Sequence, residues 1–115
     1  MGAADRERWD ARFAGLGPPR ALPPTALVGR EDLLPAAGRA LDVACGRGTV
    51  AVWLAARGLA VDAVDVSPAG LAAGRALAAR EDVTVRWIEA DLDDGLPTAG
   101  PYDVVVCQRF RDPAL

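Results

Sequence analysis

The chain holds 115 residues, 51% of them hydrophobic, with 13 basic against 16 acidic side chains and a formal charge of −3. That leaves room for one small core, and the acidic balance speaks against a general nucleic-acid binder, because neutralising phosphates takes a surplus of Lys and Arg. No apolar run approaches the roughly 20 residues of a membrane span, and the charged start is unsuited to a signal peptide, so a cytoplasmic chain with no membrane partner is expected.

Residues 4–14 place Trp9 and Phe13 four apart on a charged background. This is the one-sided pattern of a surface helix, which either docks two aromatics on the core or lies as a lid over a ligand mouth. Gly15 to Pro24 holds four of the nine prolines and reads as a loop. Thr25 to Leu34 predicts a short helix with Thr25 as N-cap, ended by Pro35. From residue 39 the chain alternates. Strand 1 covers Ala40–Ala44, and a helix runs from about Thr49 to Arg57 with Gly58 closing it. Strand 2 covers Ala60–Asp65, and a helix opened by Ser67 and Pro68 runs to about Arg80. Strand 3 is expected over Val83–Ile88, with apolar residues at 83, 85 and 87. A loop then spans Asp91–Pro101, and strand 4 covers Tyr102–Cys107. This order predicts an α/β fold, a doubly wound and mostly parallel sheet with right-handed crossovers. Residues 1–38 form an N-terminal helical segment with a Pro-rich loop, and residues 39–115 form the α/β domain. Cys45 and Cys107 fall at or beside strand ends, where buried, reduced thiols are expected. With no histidine and no second ligand at a metal-binding spacing, no metal site is expected.

In such sheets ligands sit outside the carboxyl ends of the strands, a rule that gathers Ala44–Gly48, Asp65, Asp91 and Cys107–Arg109 on one rim. Gly46 and Gly48 leave no Cβ in the way of a ligand lying against the main chain, and Thr49 opens a helix whose first N–H groups are free. Asp65 ends strand 2 about 20 residues after the glycine turn, where a carboxylate accepts from both ribose hydroxyls of an adenosine. Asp91 is placed to accept from an adenine amino group, with Leu92 or Ile88 packing on the ring, although Asp93 and Asp94 stand beside it as ordinary loop acids. Asp42 lies in a strand that should be buried, so its charge needs backbone N–H groups or a cationic ligand. Cys45, Val66 and Cys107 complete the candidate cofactor-binding set. Gly46 to Ala51 fits the G-x-G-x-x-G/A dinucleotide pattern. A pyrophosphate, however, wants an electropositive turn, and the carboxylate of Asp42 suits a ligand bearing an amino group and a sulfonium better.

Leu41-Asp-Val-Ala-Cys-Gly-Arg-Gly48 resembles motif I of the class I S-adenosylmethionine-dependent methyltransferases. Val64-Asp-Val-Ser-Pro68 resembles their second motif, Glu89-Ala-Asp-Leu92 their adenine-contacting loop, and Tyr102-Asp-Val-Val-Val106 their strand 4. Together with the Trp9-Asp-Ala-Arg-Phe13 start, the turn is loosely similar to the tellurite-resistance and thiopurine-type small-molecule subgroup. The resemblance implies a Rossmann-like methyltransferase fold and S-adenosyl-L-methionine as cofactor. It also implies that Asp42, Ala44 and Gly46 border the methionine moiety, that Asp65 binds the ribose and that Asp91 binds the adenine. Ala44 stands where many members carry glycine, so the backbone there should not need a positive φ.

What the resemblance implies mechanistically is in-line transfer of a methyl group from a sulfonium to a small-molecule acceptor. The protein's task is then alignment and exclusion of water, and no catalytic residue is named. Gln108 and Arg109 lie where the family places acceptor contacts, or serve only the loop. Class I members continue beyond strand 4 with a helix, a fifth strand and usually a hairpin. The chain is therefore expected to be the N-terminal half of the fold, truncated after strand 4, with that strand exposed as an edge and weak cofactor binding when alone. Two other classes fit less well: a non-catalytic S-adenosylmethionine-binding subunit, and a nicotinamide-dependent oxidoreductase.

Overall fold

The computed structural model describes residues 3–14 and 18–107. Its centre is a parallel sheet of four strands, β1 (Arg39–Val43), β2 (Ala60–Asp65), β3 (Val85–Glu89) and β4 (Val104–Val106), in the order β3-β2-β1-β4. Helix α1 (Ala3–Ala14) precedes the sheet. Helices α2 (Thr49–Ala56) and α3 (Pro68–Arg80) make the first two crossovers. This is the predicted α/β arrangement of the doubly wound type, with every described pairing parallel.

Strand alternation divides the sheet into two faces. Ala40, Val61, Ala63 and Val85 share one face and form the core with Val50, Ala51 and Leu54 of α2 and Leu71 of α3. The other face carries Leu41, Asp62 and Arg86. There the chain returning from β3 to β4, which contains only a 3-10 turn over Leu92–Asp94, is tied down by Asp62. One oxygen of this buried carboxylate accepts from the hydroxyl of Tyr102 at 2.7 Å, from Arg39 at 3.3 Å and from the hydroxyl of Thr98 at 3.5 Å. The guanidinium of Arg39 also stacks over the Tyr102 ring at 4.6 Å, and all of these groups sit at the amino-terminal edge of the sheet.

Both crossover helices end in the same way. After α2 the N–H of Gly58 (φ 101) donates to Ala55 and that of Leu59 to Leu54; after α3 the N–H of Asp82 (φ 55) donates to Ala79 and that of Val83 to Ala78. This paired closure needs a left-handed residue just past the helix, supplied once by glycine and once by aspartate. It also corrects the predicted start of strand 3. The N–H of Val83 is spent on α3, so the strand begins at Val85 and Val83 packs on α3 instead.

Four further expectations are corrected. Thr25–Leu34 is not one helix but two 3-10 turns, Thr25–Leu27 and Glu31–Leu33, because Gly29 at φ 82 breaks the run. Pro24, not Thr25, occupies the N-cap and supplies no capping side chain. Strand 4 shortens to Val104–Val106, where Val105 is 60% exposed, and the thiol of Cys107 just beyond it is exposed rather than buried.

Candidate functional site

The site is built on the turn between β1 and α2. Ala44, Gly46 and Gly48 all have left-handed backbones, at φ 56, 58 and 75. The expectation for Ala44 was therefore wrong: the turn needs positive φ there, and alanine carries it at a steric cost that glycine would avoid. The N–H of Cys45 donates to the carbonyl of Val64 at 3.0 Å, which hangs the turn on β2. Gly48 is the N-cap of α2 and offers no side chain to the free N–H groups of the first turn. Asp42 takes up that role from inside β1, its carboxylate hydrogen-bonded to the main chain of Ala51.

Asp42 is 2% exposed, and its Oδ2 is buried without a hydrogen-bond partner. Burial, with the charge of Asp65 added, raises its carboxyl to about 7. Asp65 is likewise buried. The N–H of Ser67 donates to its Oδ2 at 3.4 Å, and main-chain hydrogen bonds from Val66 and Gly46 also hold it. Burial raises its carboxyl, those hydrogen bonds oppose the rise, and the charge of Asp10 adds to it. The Cys45 thiol, buried beside both acids, is pushed up and stays protonated. Two buried carboxylates, one of them with an orphan oxygen, make a surrounding suited to a cation and hostile to a pyrophosphate.

The register lines up the rest of the rim. Asp65 pairs with Glu89, two residues before Asp91, and Asp42 pairs with Val106, next to Cys107. Ala44, Asp65, Asp91 and Cys107 thus occupy the carboxyl ends of four adjacent strands, with Val66 buried just past β2. Asp91 caps the 3-10 turn that follows it, accepting from the N–H of Asp93 at 2.9 Å, and Leu92 lies half-buried in that turn. Gln108 and Arg109 lie outside the described residues, as does the side chain of Phe13.

Asp10 was not singled out by sequence reasoning. Its Oδ1 accepts from the Ser67 hydroxyl and, at 3.0 Å, from the N–H of Ala69, while the Ser67 hydroxyl oxygen accepts from Gly70 as the N-cap of α3. A second tie joins Arg6 to Glu89 at 3.7 Å. Helix α1 is thereby fastened beside Asp65 at the ends of β2 and β3. The sequence signal of Asp10 is its place beside Trp9 in the Trp9–Phe13 block. Among the described residues no cluster suited to a metal ion occurs, and no helix is long and apolar enough to cross a membrane.

Residues 40–113 match the family model for a methyltransferase domain. The chain is 38% identical over 69 residues to the ribosomal RNA small subunit methyltransferase C of Alcanivorax borkumensis, a match covering 60% of this chain and 21% of that protein. It is 36% identical over 76 residues to the ubiquinone biosynthesis O-methyltransferase of Acinetobacter baumannii, covering 64% of this chain and 32% of that one. In fold it is similar to a SAM-dependent methyltransferase from Thiobacillus denitrificans solved in complex with S-adenosyl-L-homocysteine. That likeness has a TM-score of 0.67 at 24% identity and covers 89% of this chain and 42% of that one. The chain thus spans between 21% and 32% of the length of these two curated relatives.

Proposed function

This chain belongs to the methyltransferase-domain family, and from that premise we propose that it is the cofactor-binding part of an S-adenosyl-L-methionine-dependent methyltransferase. The observation that carries the reading is the orphan Oδ2 of Asp42, buried beside Asp65 at the end of β1. A cationic ligand supplies the partner this oxygen lacks, whereas a dinucleotide would bring two more negative charges to it.

S-adenosyl-L-methionine, when bound, supplies a methyl group already activated on a positively charged sulfonium. Asp42 and the Ala44–Gly48 main chain would hold the methionine end, Asp65 the ribose hydroxyls and Asp91 the adenine, with Cys45, Val66, Leu92 and Cys107 along the same rim. The chain's contribution is alignment, electrostatic attraction and exclusion of water. We assign the binding unit to residues 39–115 and its cover to residues 1–38, supported by the fastening of α1 through Asp10. A small-molecule acceptor is the reading favoured by the excess of acidic over basic residues, and Glu89, Asp93 and Asp94 extend that charge along the rim. The relatives divide on this point, one acting on ribosomal RNA and the other named for ubiquinone biosynthesis.

The test is ligand-dependent unfolding. S-adenosyl-L-homocysteine at about a hundred times its Kd should add ~2.7 kcal/mol of stability. Asp65→Ala should weaken its binding at least about tenfold, and NAD should leave the melting curve unmoved. Stabilisation by NAD but not by S-adenosyl-L-homocysteine overturns the reading.

A further inference from the structure

We propose that Trp87, which lies on β3 and outside the ligand rim, is a positioning residue that sets where the Ala44–Gly48 turn presents its main chain. Trp87 stands on the helix-covered face of the sheet, paired with the fully buried Ala63. The far edge of its indole reaches two glycines from different elements. A Cβ on Gly48 would lie 2.5 Å from Cη2 of Trp87 and 3.1 Å from the Cα of Gly74. A Cβ on Gly74, in the middle of α3, would lie 2.6 Å from both Cη2 and Cζ3 of the same ring. Real Cβ atoms essentially never come within 3.0 Å of a neighbour, and 3.1 Å is tighter than most real contacts. The turn, α3 and the indole therefore meet with no side chain between them.

This contact gives the two glycines a reason that has nothing to do with a ligand. Gly48 is left-handed at φ 75, and any side chain there would also run into Trp87 and α3. Gly74 is helical and has no conformational need to be glycine; the ring alone excludes a methyl group. A rigid ring against bare backbone transmits displacement, because close-packed interiors have no soft layer to absorb it. Gly48 is the N-cap of α2, and the first turn of α2 holds Asp42 through Ala51. A shift of the indole therefore reaches the turn and the orphan carboxylate together.

The consequence for binding rests on the methyltransferase reading above; the packing does not. The experiment is a double-mutant cycle on this chain. S-adenosyl-L-homocysteine affinity is followed by calorimetry, and the Gly46 and Gly48 amide shifts of the ligand-free protein by NMR. Gly74→Ala should weaken affinity by about tenfold and move both amides, since the added methyl drives the ring toward the turn. Trp87→Phe withdraws the far edge of the ring, and in that background Gly74→Ala should be harmless or should restore affinity. Val61→Ala, a core truncation at the far end of β2, should lower stability but leave affinity and the Gly48 amide in place. Equal costs of Gly74→Ala in both backgrounds overturn the proposal. So does a Gly48 amide unmoved by Trp87→Phe, a milder variant that keeps the test open should Gly74→Ala fail to fold. If wild-type protein does not bind S-adenosyl-L-homocysteine while the amides still respond to Trp87, the cofactor reading fails and the positioning role stands.

Discussion

Asp42 has the least comfortable environment of the described side chains, being buried, near a second acid and satisfied on one oxygen only. In the folded chain it keeps its proton up to about 7, against 3.8 when unfolded. The folded state thus binds more protons across that window, and stability of the ligand-free protein falls as pH rises through it. Asp42→Asn should remove this loss. We expect little change near pH 4 and a gain of as much as ~4 kcal/mol at pH 8, measured by denaturant unfolding. The same variant should bind S-adenosyl-L-homocysteine at least about tenfold more weakly at pH 8, because its attraction for a cation is gone. A variant that gains stability and keeps affinity would disconnect the orphan oxygen from the ligand. That Asp42 needed a partner was legible in the sequence, since an acid in the middle of Leu41–Val43 has no water to turn to. The left-handed Ala44 was not legible, because alanine gives no sign of a positive φ and only the path of the turn requires it.

The elements were read well where local chemistry decides and poorly where neighbours do. Gly58, Ser67 and Pro68 mark helix ends by their own conformational preferences, and those ends stand where expected. The start of β3 depends instead on whether the N–H of Val83 goes to a strand or back to α3, a choice made only once α3 exists. The 25–34 segment has a helical composition, but Gly29 splits it. Helix α1 is the clearest case of an element held by contacts the sequence does not announce, since the hydrogen bonds of Asp10 span 57 and 59 residues. Asp10→Ala should cost ~1 kcal/mol and free α1 from α3, so that trypsin cuts at Arg6, Arg8 and Arg12 several-fold faster than in the parent chain. Asp10→Asn, which keeps an acceptor, should lie between the two. Unchanged cleavage would mean that other contacts hold the helix.

Over the whole molecule, the strand order β3-β2-β1-β4 puts the change of direction between β1 and β4, so the proposed ligand rim and the topological crevice coincide at the carboxyl ends. That the Ala44–Gly48 turn, Asp65 and Asp91 lie at one end of the sheet was legible from the alternation of elements, whereas the strand order was not. What could not be read was the opposite edge, where Asp62 is shared by Tyr102, Arg39 and Thr98. Tyr102→Phe should speed hydrogen exchange at Val104–Val106 about tenfold and leave the Gly46 and Gly48 amides at their parent rates. Faster exchange in both places would mean that the two ends of the sheet open together. With the fastening at one end and the proposed ligand lip at the other, substitutions along the lip leave the lacing of the strands beneath them untouched.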